Sequence, residues 1–154
     1  IIGNHIYSGA HSRSAEIGHV KIVPDGKQCY CGQRGCVNAY VSARVLSEQF
    51  DGLLENFFER LEAGDKACRQ QFDEYLDHLA STIVNLRMLF DSEIILGGYV
   101  GKFLDHYLDD LGRRLIDYNP YEEDFNYIRT GRYKDMASAV GGALVFIAEY
   151  ISNV

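Results

Sequence analysis

The residues with the clearest chemistry are one histidine and three cysteines that lie within 18 positions of one another: His19, Cys29, Cys31 and Cys36. Three thiolates and one imidazole are a common ligand set of a closed, four-coordinate zinc site. Two glycines lie between the last two cysteines, and glycine allows a backbone to wrap closely around an ion. The spacing therefore predicts a metal centre. Because protein fills all four positions, we expect it to be structural rather than catalytic.

An alternative interpretation leaves the three cysteines unpaired or disulfide-bonded beside an unrelated histidine. A bond between Cys29 and Cys31 is sterically poor because one residue separates them, and three cysteines cannot all pair. The fourth cysteine, Cys68, falls in a helical pattern, where we expect it to be buried as a small apolar residue. Three metal-ligating thiols fit a reducing compartment, so we expect a cytoplasmic protein.

The bulk composition limits the classes of protein to consider. The 154 residues suit one domain over 1–154, and the net charge of −7 argues against DNA contact by this chain itself. No run reaches the roughly 18 apolar residues of a membrane span. The first four residues do not read as a signal peptide and resemble a start within a fold.

The hydrophobic patterns predict the elements that hold these residues in place. β-favouring residues predict strands near 1–7 and at 18–23, with a polar loop at 8–14 between them. Apolar spacings of three and four predict one amphipathic helix from Val41 to Leu61, and Asp65 is a suitable N-cap for the next. The expected order is helices near 41–61, 66–89, 104–115 and 136–151, with short strands at 93–96 and 127–129. Small residues in the last helix favour close helix packing.

Two motifs together resemble a known family. Glu16-Ile17-Gly18-His19 follows a run of small residues, and 29–36 reads Cys-Tyr-Cys-Gly-Gln-Arg-Gly-Cys. This combination resembles the ROK family of sugar kinases and sugar-responsive transcriptional repressors. Segments 89–98 and 139–144 also look like that family's strand with its glycine turn and its closing helix, so the resemblance covers the whole chain.

The resemblance implies a fold and a missing part. It implies an α/β, helix-rich C-terminal lobe of an actin-like (ribonuclease H-like) ATPase and sugar kinase fold, with a zinc-braced loop. The family's kinases carry an Asp-x-Gly-x-Thr phosphate loop and a catalytic aspartate in their N-terminal lobe, and nothing in this chain matches either. We therefore assign no catalytic residue, and we expect no phosphoryl transfer from this chain alone.

The resemblance also implies which residues bind ligands. Glu16 would accept hydrogen bonds from sugar hydroxyls; without the resemblance it reads as a solvated loop glutamate or a helix cap. His19 would hold zinc with one nitrogen and face the sugar with the other. Asn38 stands where the family commonly has a sugar-binding glutamate. Gly97 and Gly98 would lie beside a nucleotide, but Tyr99 replaces the third glycine that the kinases commonly have.

Three functions remain open at this point. The first is the sugar-sensing and dimerising part of a ROK-type transcriptional regulator, and the differences at Asn38 and Tyr99 favour it. The second is half of a hexose kinase that uses ATP and Mg²⁺. The third is a zinc-structured interaction module without sugar binding. The expected partners are a hexose or N-acetylhexosamine, the N-terminal lobe and a second copy in a homodimer, with Zn²⁺ as a structural cofactor.

Overall fold

Helices dominate the structure, a computed structural model that describes residues 6–152. Residues 1–5 of the strand predicted near 1–7 lie outside the described residues, and residues 6 and 7 form no strand. Short 3₁₀ turns at Ile17–His19, Leu104–Tyr107 and Lys134–Met136 connect the regular elements. In chain order these are α1 (Asn38–Val41), α2 (Ala43–Ser47), α3 (Leu54–Glu62), α4 (Lys66–Phe90), β1 (Ile94–Leu96), α5 (Gly98–Gly101), α6 (Leu108–Tyr118), β2 (Ile128–Thr130) and α7 (Ala137–Ser152).

The long helix α4 is the central element and matches its prediction. Its N-cap is Asp65, whose carboxylate accepts the backbone N–H groups of Ala67 at 2.9 Å and Cys68 at 3.1 Å. These bonds satisfy two of the donors that every helix start leaves unpaired. The helix ends at Asp91, which adopts a left-handed conformation with φ of 42°. Cys68 is buried in its first turn, as expected.

The single helix predicted over 41–61 is wrong, because this segment forms α1, α2 and α3. Ser42 is extended between the first two helices. Asp51 and Gly52 have φ of 53° and 80°, which reverses the chain before α3. The apolar spacing nevertheless continues through the breaks because all three helices face the same core. The periodicity of apolar residues therefore indicates which face is buried, but it does not indicate where one helix ends and the next begins.

Two short parallel strands form the sheet within 6–152. Ile94 pairs with Ile128 and Leu96 with Thr130, and α5 and α6 form the connection between the strands. Leu96 and Ile128 are buried, whereas Ile95 on the opposite face is 60% exposed. Both strands were predicted, although β1 is only partly buried. The strand predicted at 18–23 is wrong: the chain forms a 3₁₀ turn there, followed by one isolated bridge between Lys21 and Cys36.

The core lies where α3, α4 and α6 meet the buried face of the sheet. Phe72 of α4 is fully buried and packs edge-on against Phe58 and Tyr107, with ring centroids 5.5 and 4.7 Å apart. Phe58 stacks on Phe103 at 4.1 Å. Arg114 of α6 joins the outer faces of α4 and α6 through two aspartates of α4, Asp73 and Asp77, each at 2.7 Å. Aromatic packing and ion pairs therefore fix α6 on α4.

The last helix, α7, is the least covered element. Its apolar side chains face solvent, including Phe146 at 73% exposure and Tyr150 at 72%. A Cβ added at Gly141 or Gly142 would meet no atom within 4 Å. The predicted helix is confirmed, whereas the expected close packing around its small residues is not found within 6–152. None of the described helices is long and apolar enough to cross a membrane.

Candidate metal centre and sugar site

Residues 17–37, called the metal loop below, lead from a 3₁₀ turn into the start of α1. The backbone N–H of His19 donates to the carbonyl of Glu16 at 3.0 Å, and this bond closes the turn. Val37 then donates to the carbonyl of Val20 at 2.9 Å. The two ends of the metal loop are thus held side by side, and His19 lies next to the cysteine segment.

A tight turn carries the three cysteines. The N–H of Cys29 donates to the carbonyl of Gln33 at 2.8 Å, and Gly35 donates to Lys27 at 2.9 Å. Gly35 has φ of +82°, and a Cβ on it would lie 1.8 Å from the carbonyl oxygen of Val23. Only glycine fits at this crossing of two backbone segments. The glycines noted in the sequence therefore form the turn that brings the cysteines together.

The structure brings together all four predicted metal ligands. The ligand atoms of His19, Cys29, Cys31 and Cys36 lie within 4.8 Å of one another, and the three thiols are free. The Sγ atoms of Cys31 and Cys36 are 3.8 Å apart. A tetrahedral ion with Zn–S bonds of about 2.3 Å requires an S–S edge of about 3.8 Å. The disulfide alternative is therefore not what the structure shows.

The histidine provides an independent test of the fit. His19 Nδ1 is buried and has no hydrogen-bond partner. A buried polar atom without a partner is rare in folded proteins and requires an explanation. Three neighbouring thiols and an imidazole nitrogen without a hydrogen-bond partner match the requirements of a metal site. The residues present therefore fit a tetrahedral metal ion.

Two of the thiols have shifted pKa values that match their surroundings. A backbone hydrogen bond at Gln33, together with the neighbouring thiols, lowers the pKa of Cys31 to about 7. Burial, with contributions from the other two thiols, raises the pKa of Cys36 to about 11. Three neighbouring thiolates would repel one another, and a bound cation would relieve that repulsion.

The second nitrogen of His19 faces a hydroxyl that the sequence analysis did not assign. Nε2 lies 3.2 Å from the Tyr30 hydroxyl, and the Asn38 side-chain amide lies 3.4 Å from the same oxygen. A Cβ on Gly18 would lie 2.3 Å from Asn38 Nδ2, so the Glu-x-Gly-His turn packs directly on Asn38. The one available signal for Tyr30 was its position between two ligating cysteines.

The structure brings two of the three predicted sugar-binding residues together. His19 and Asn38 contact the same tyrosine hydroxyl. Glu16 is exposed at the N-terminal end of the same 3₁₀ turn as His19, and its side chain makes no capping hydrogen bond. A carboxylate, an imidazole and an amide together offer both acceptors and donors to a polyhydroxylated ligand.

A cavity of about 770 Å³ opens beside this surface. Tyr30 and Asn38 lie at its border, and Tyr40, Tyr75 and His78 lie in its wall. The rings of His78 and Tyr40 are 4.4 Å apart, and His78 is half-buried on α4. Burial, and then the charge of Lys27, lower the pKa of His78.

The predicted nucleotide glycines lie at the carboxyl end of β1. Gly97 is extended, and Gly98 has φ of +70° at the start of α5. Gly131, just after β2, donates to the carbonyl of Leu96 at 2.7 Å, so the ends of both strands meet here. The Tyr99 side chain is 68% exposed next to them. Ligands of open α/β sheets bind at this edge.

Asp105 forms an ion pair at this edge. Its carboxylate accepts hydrogen bonds from Lys134 and Thr130, and these bonds lower its pKa. Asp110 pairs with Arg69 at 3.3 Å and with Arg113. These aspartates thus join neighbouring elements.

Comparison with known proteins identifies the family. The ROK family model matches residues 1–149. The chain belongs to the ROK family. The putative xylose repressor of Caldicellulosiruptor sp. (strain Rt8B.4) is 24% identical over 174 residues, covering 99% of this chain and 43% of that protein. The N-acetyl-D-glucosamine kinase of Pectobacterium carotovorum subsp. carotovorum is 27% identical over 170 residues, covering 97% and 54%.

A solved structure agrees with these relatives. The ROK family glucokinase of Streptomyces griseus, in complex with glucose and AMPPNP, superposes with a TM-score of 0.69 at 26% identity. The match covers 94% of this chain and 55% of that one. The predicted actin-like, helix-rich α/β fold is confirmed. The chain spans about half the length of the curated relatives it matches, and those relatives include both repressors and sugar kinases.

Proposed function

We propose that this chain is the zinc-braced, sugar-sensing lobe of a ROK-type transcriptional regulator. The observation that carries the proposal is the clustering of His19 with three thiols, in which the buried Nδ1 has no hydrogen-bond partner while Nε2 of the same ring meets a hydroxyl. The four residues would hold Zn²⁺ as a structural ion. The ion would fix the ring so that its second nitrogen faces the ligand.

The sugar side of the proposal rests on Glu16, His19 and Asn38. With Nδ1 on a metal, a neutral imidazole keeps its proton on Nε2, so His19 donates a hydrogen bond. Asn38 offers a second donor and Glu16 a free carboxylate acceptor. A sugar hydroxyl both donates and accepts, so a hexose or an N-acetylhexosamine suits this set. The relatives include a glucokinase, an N-acetyl-D-glucosamine kinase and an N-acetylmannosamine kinase.

The regulator is favoured over the kinase by two residues. Asn38 carries no charge where the kinases commonly have glutamate, and the exposed ring of Tyr99 follows the glycine turn. Ligand binding between this lobe and an N-terminal lobe would shift a conformational equilibrium of a homodimer, by no more than the ligand's preference for one state. DNA contact would belong to a segment outside this chain.

A hexose kinase is the second candidate, because Gly97 and Gly98 lie at the sheet edge where open α/β folds bind ligands. In that case the N-terminal lobe would supply the phosphate loop and the catalytic base, and ATP with Mg²⁺ would bind across both lobes.

Calorimetric titration of the full-length protein tests both candidates. The panel is glucose, N-acetylglucosamine, N-acetylmannosamine and xylose, each with and without AMPPNP and Mg²⁺. The regulator binds one sugar independently of nucleotide and turns over no ATP. Sugar-dependent ATP hydrolysis or phosphorylation would establish the kinase instead, and the absence of any sugar binding would leave the interaction module.

Zinc is tested separately by metal analysis of the protein and two cysteine variants. We expect one zinc ion per chain, lost in Cys36→Ser, together with a tenfold or greater loss of sugar affinity. Cys68→Ala removes a thiol from the helical core and is the matched control, which keeps both zinc and sugar binding. Undiminished sugar affinity in a zinc-free Cys36→Ser protein would disprove the bracing role.

A further inference from the structure

Tyr30 has an unusual set of contacts for an exposed side chain. It lies between two metal-ligating cysteines and is 79% exposed. Its hydroxyl lies 3.2 Å from His19 Nε2 and 3.4 Å from Asn38 Nδ2, and its ring meets the imidazole edge-on at 5.3 Å between centroids. An exposed tyrosine side chain can adopt other rotamers that point into solvent. The rotamer seen here instead places its hydroxyl against two predicted ligand-binding groups.

Which groups donate these hydrogen bonds follows from the surroundings of the other imidazole nitrogen of His19, Nδ1. His19 Nδ1 is buried without a hydrogen-bond partner, whereas Nε2 lies against the Tyr30 hydroxyl. Nδ1 is therefore the nitrogen left for a metal ion, and the ring proton of the metal-bearing form is on Nε2. Nε2–H then donates to the Tyr30 oxygen, and the Asn38 amide donates to the same atom. Two donors therefore converge on one hydroxyl oxygen, as they would on a sugar hydroxyl.

We propose that Tyr30 is a specificity-determining residue whose hydroxyl lies where a sugar hydroxyl binds and is displaced when the sugar binds. This inference rests on the proposed function, since it assigns a further residue to the same site. A ligand displaces Tyr30 only if one of its hydroxyls accepts from both His19 and Asn38. Tyr30 thus penalises every sugar whose stereochemistry fails to meet both donors.

The surroundings of Tyr30 permit this displacement. The side chain borders the cavity of about 770 Å³, which gives the ring space to rotate away from His19. The backbone of its two neighbours is fixed by the cysteine turn, where Gly32 donates to the Cys29 carbonyl at 3.0 Å. Only the side chain needs to move. The hydrogen bonds it gives up are replaced by those of the sugar.

The test compares Tyr30→Phe with Tyr121→Phe in zinc-loaded, full-length protein. Both substitutions remove only a hydroxyl from an exposed ring, and Tyr121 is 81% exposed in the segment between α6 and β2. Metal analysis first establishes that both variants keep the zinc content of the unmodified protein. A loss of zinc in Tyr30→Phe alone would show that the hydroxyl is merely structural, and it would overturn the proposal.

The first measurement needs no sugar. In ¹H–¹⁵N spectra of the imidazoles, Tyr30→Phe exposes the Nε2 proton of His19 to solvent, so its resonance shifts and broadens. Tyr121→Phe leaves the resonance in place. An unchanged His19 resonance in Tyr30→Phe overturns the proposal whatever the sugar data show.

The second measurement is calorimetric titration with glucose and N-acetylglucosamine. Loss of a competing hydrogen bond makes Tyr30→Phe bind the preferred sugar about two- to tenfold more tightly. It also narrows the preference between the two sugars, while Tyr121→Phe binds as the unmodified protein does. Equal or weaker binding by Tyr30→Phe overturns this inference and leaves the proposed function standing. No binding by any of the three proteins overturns the proposed function, and this inference with it.

Discussion

The metal loop and the helical core around α4 are held together by different forces. In the core, buried aromatic and aliphatic side chains from α3, α4, α6 and the sheet pack into one cluster. In the metal loop, the regular structure is one 3₁₀ turn and two isolated bridges, and the centre is occupied by thiols. The core is thus stabilised by apolar burial, and we expect the loop to be stabilised by a bound ion.

This difference separates folding from function. Residues that pack the core determine whether the chain folds, because apolar burial is the main favourable contribution to stability. The metal loop and the two residues that flank it, Glu16 and Asn38, carry the predicted ligand-binding groups, yet few of these residues are buried. Changes in the loop should therefore alter ligand binding with little effect on the helical fold, and changes in the core should do the reverse.

The largest effect is expected from Phe72→Ala in the core. Phe72 is fully buried against Phe58, Tyr75 and Tyr107, so the substitution leaves a cavity that these rings cannot fill. We expect a loss of about 3–5 kcal/mol in the free energy of unfolding, measured by urea denaturation. Leu89→Ala, on the same helix but 74% exposed, is the control, with a change of about 0.5 kcal/mol or less. Similar losses in both variants would contradict this assignment of the core.

The next effect concerns the metal loop and uses two glycines with the same backbone conformation. Gly35 and Gly32 have φ of +82° and +86°, but only Gly35 lies against another backbone segment, at the Val23 carbonyl. Gly35→Ala should weaken zinc binding by about 10- to 100-fold, because the cysteine turn must move to relieve the clash. The measurement is competition with a chelator of known affinity.

Gly32→Ala is the matched control for this prediction. It carries the same left-handed strain, about 1–2 kcal/mol, but meets no atom within 4 Å. Its zinc affinity should fall less than that of Gly35→Ala, and both proteins should keep the far-UV helical signal. Loss of that signal in Gly35→Ala would show that folding of the helical core depends on the conformation of the metal loop.

The sequence predicted the site better than it predicted the backbone around it. The four predicted metal ligands do lie together as a cluster, and the sequence could point to them because thiolates and imidazole at short spacing have few other uses. The same segment was predicted to contain a strand at 18–23, which is wrong. Its alternating apolar residues serve a 3₁₀ turn and an isolated bridge to Cys36. The local sequence pattern is enough to identify the candidate ligands. The backbone conformation of this segment instead depends on a tertiary contact, the crossing of Gly35 over Val23.

In the helical region, most regular elements were predicted and the breaks between helices were missed. Asp65, the length of α4 and both strands were predicted, because caps and apolar periodicity are local signals. The breaks at Ser42 and at 51–52 were missed, since the apolar spacing runs through them. Tyr30 was missed for a different reason. Its contacts with His19 and Asn38 exist only after the loop has folded, and a tyrosine between two cysteines has no pattern of its own.

A smaller effect is expected at the start of α4. Asp65→Ala removes the acceptor for the N–H groups of Ala67 and Cys68 and should cost about 1 kcal/mol in the free energy of unfolding. These same bonds lower the pKa of Asp65, so its contribution is present above the usual aspartate pKa and is lost as pH falls through the lowered value. Asp65→Asn keeps the acceptor and should recover most of the loss. Equal losses in Ala and Asn variants would contradict a capping role.

The smallest effect should appear where the two regions meet, at His78. Burial beside Tyr40 and the charge of Lys27 lower its pKa, while Asp77 and Glu74 partly oppose this. The unfolded chain therefore binds the proton more readily than the folded one below about pH 6.5. Stability should fall as pH decreases from about 6.5 to 5, before the carboxylates titrate.

Chemical denaturation across this pH range measures the effect of His78. His78→Gln removes the titrating group and should flatten the decline, whereas His11→Gln, at an exposed position of the 8–14 loop, should leave it unchanged. A decline that persists in His78→Gln would place its origin elsewhere. Because His78 and Lys27 lie on the cavity that Tyr30 borders, acidification should also weaken sugar binding before it unfolds the core. As the pH falls, sugar binding at the metal loop would then be lost before the helical core unfolds.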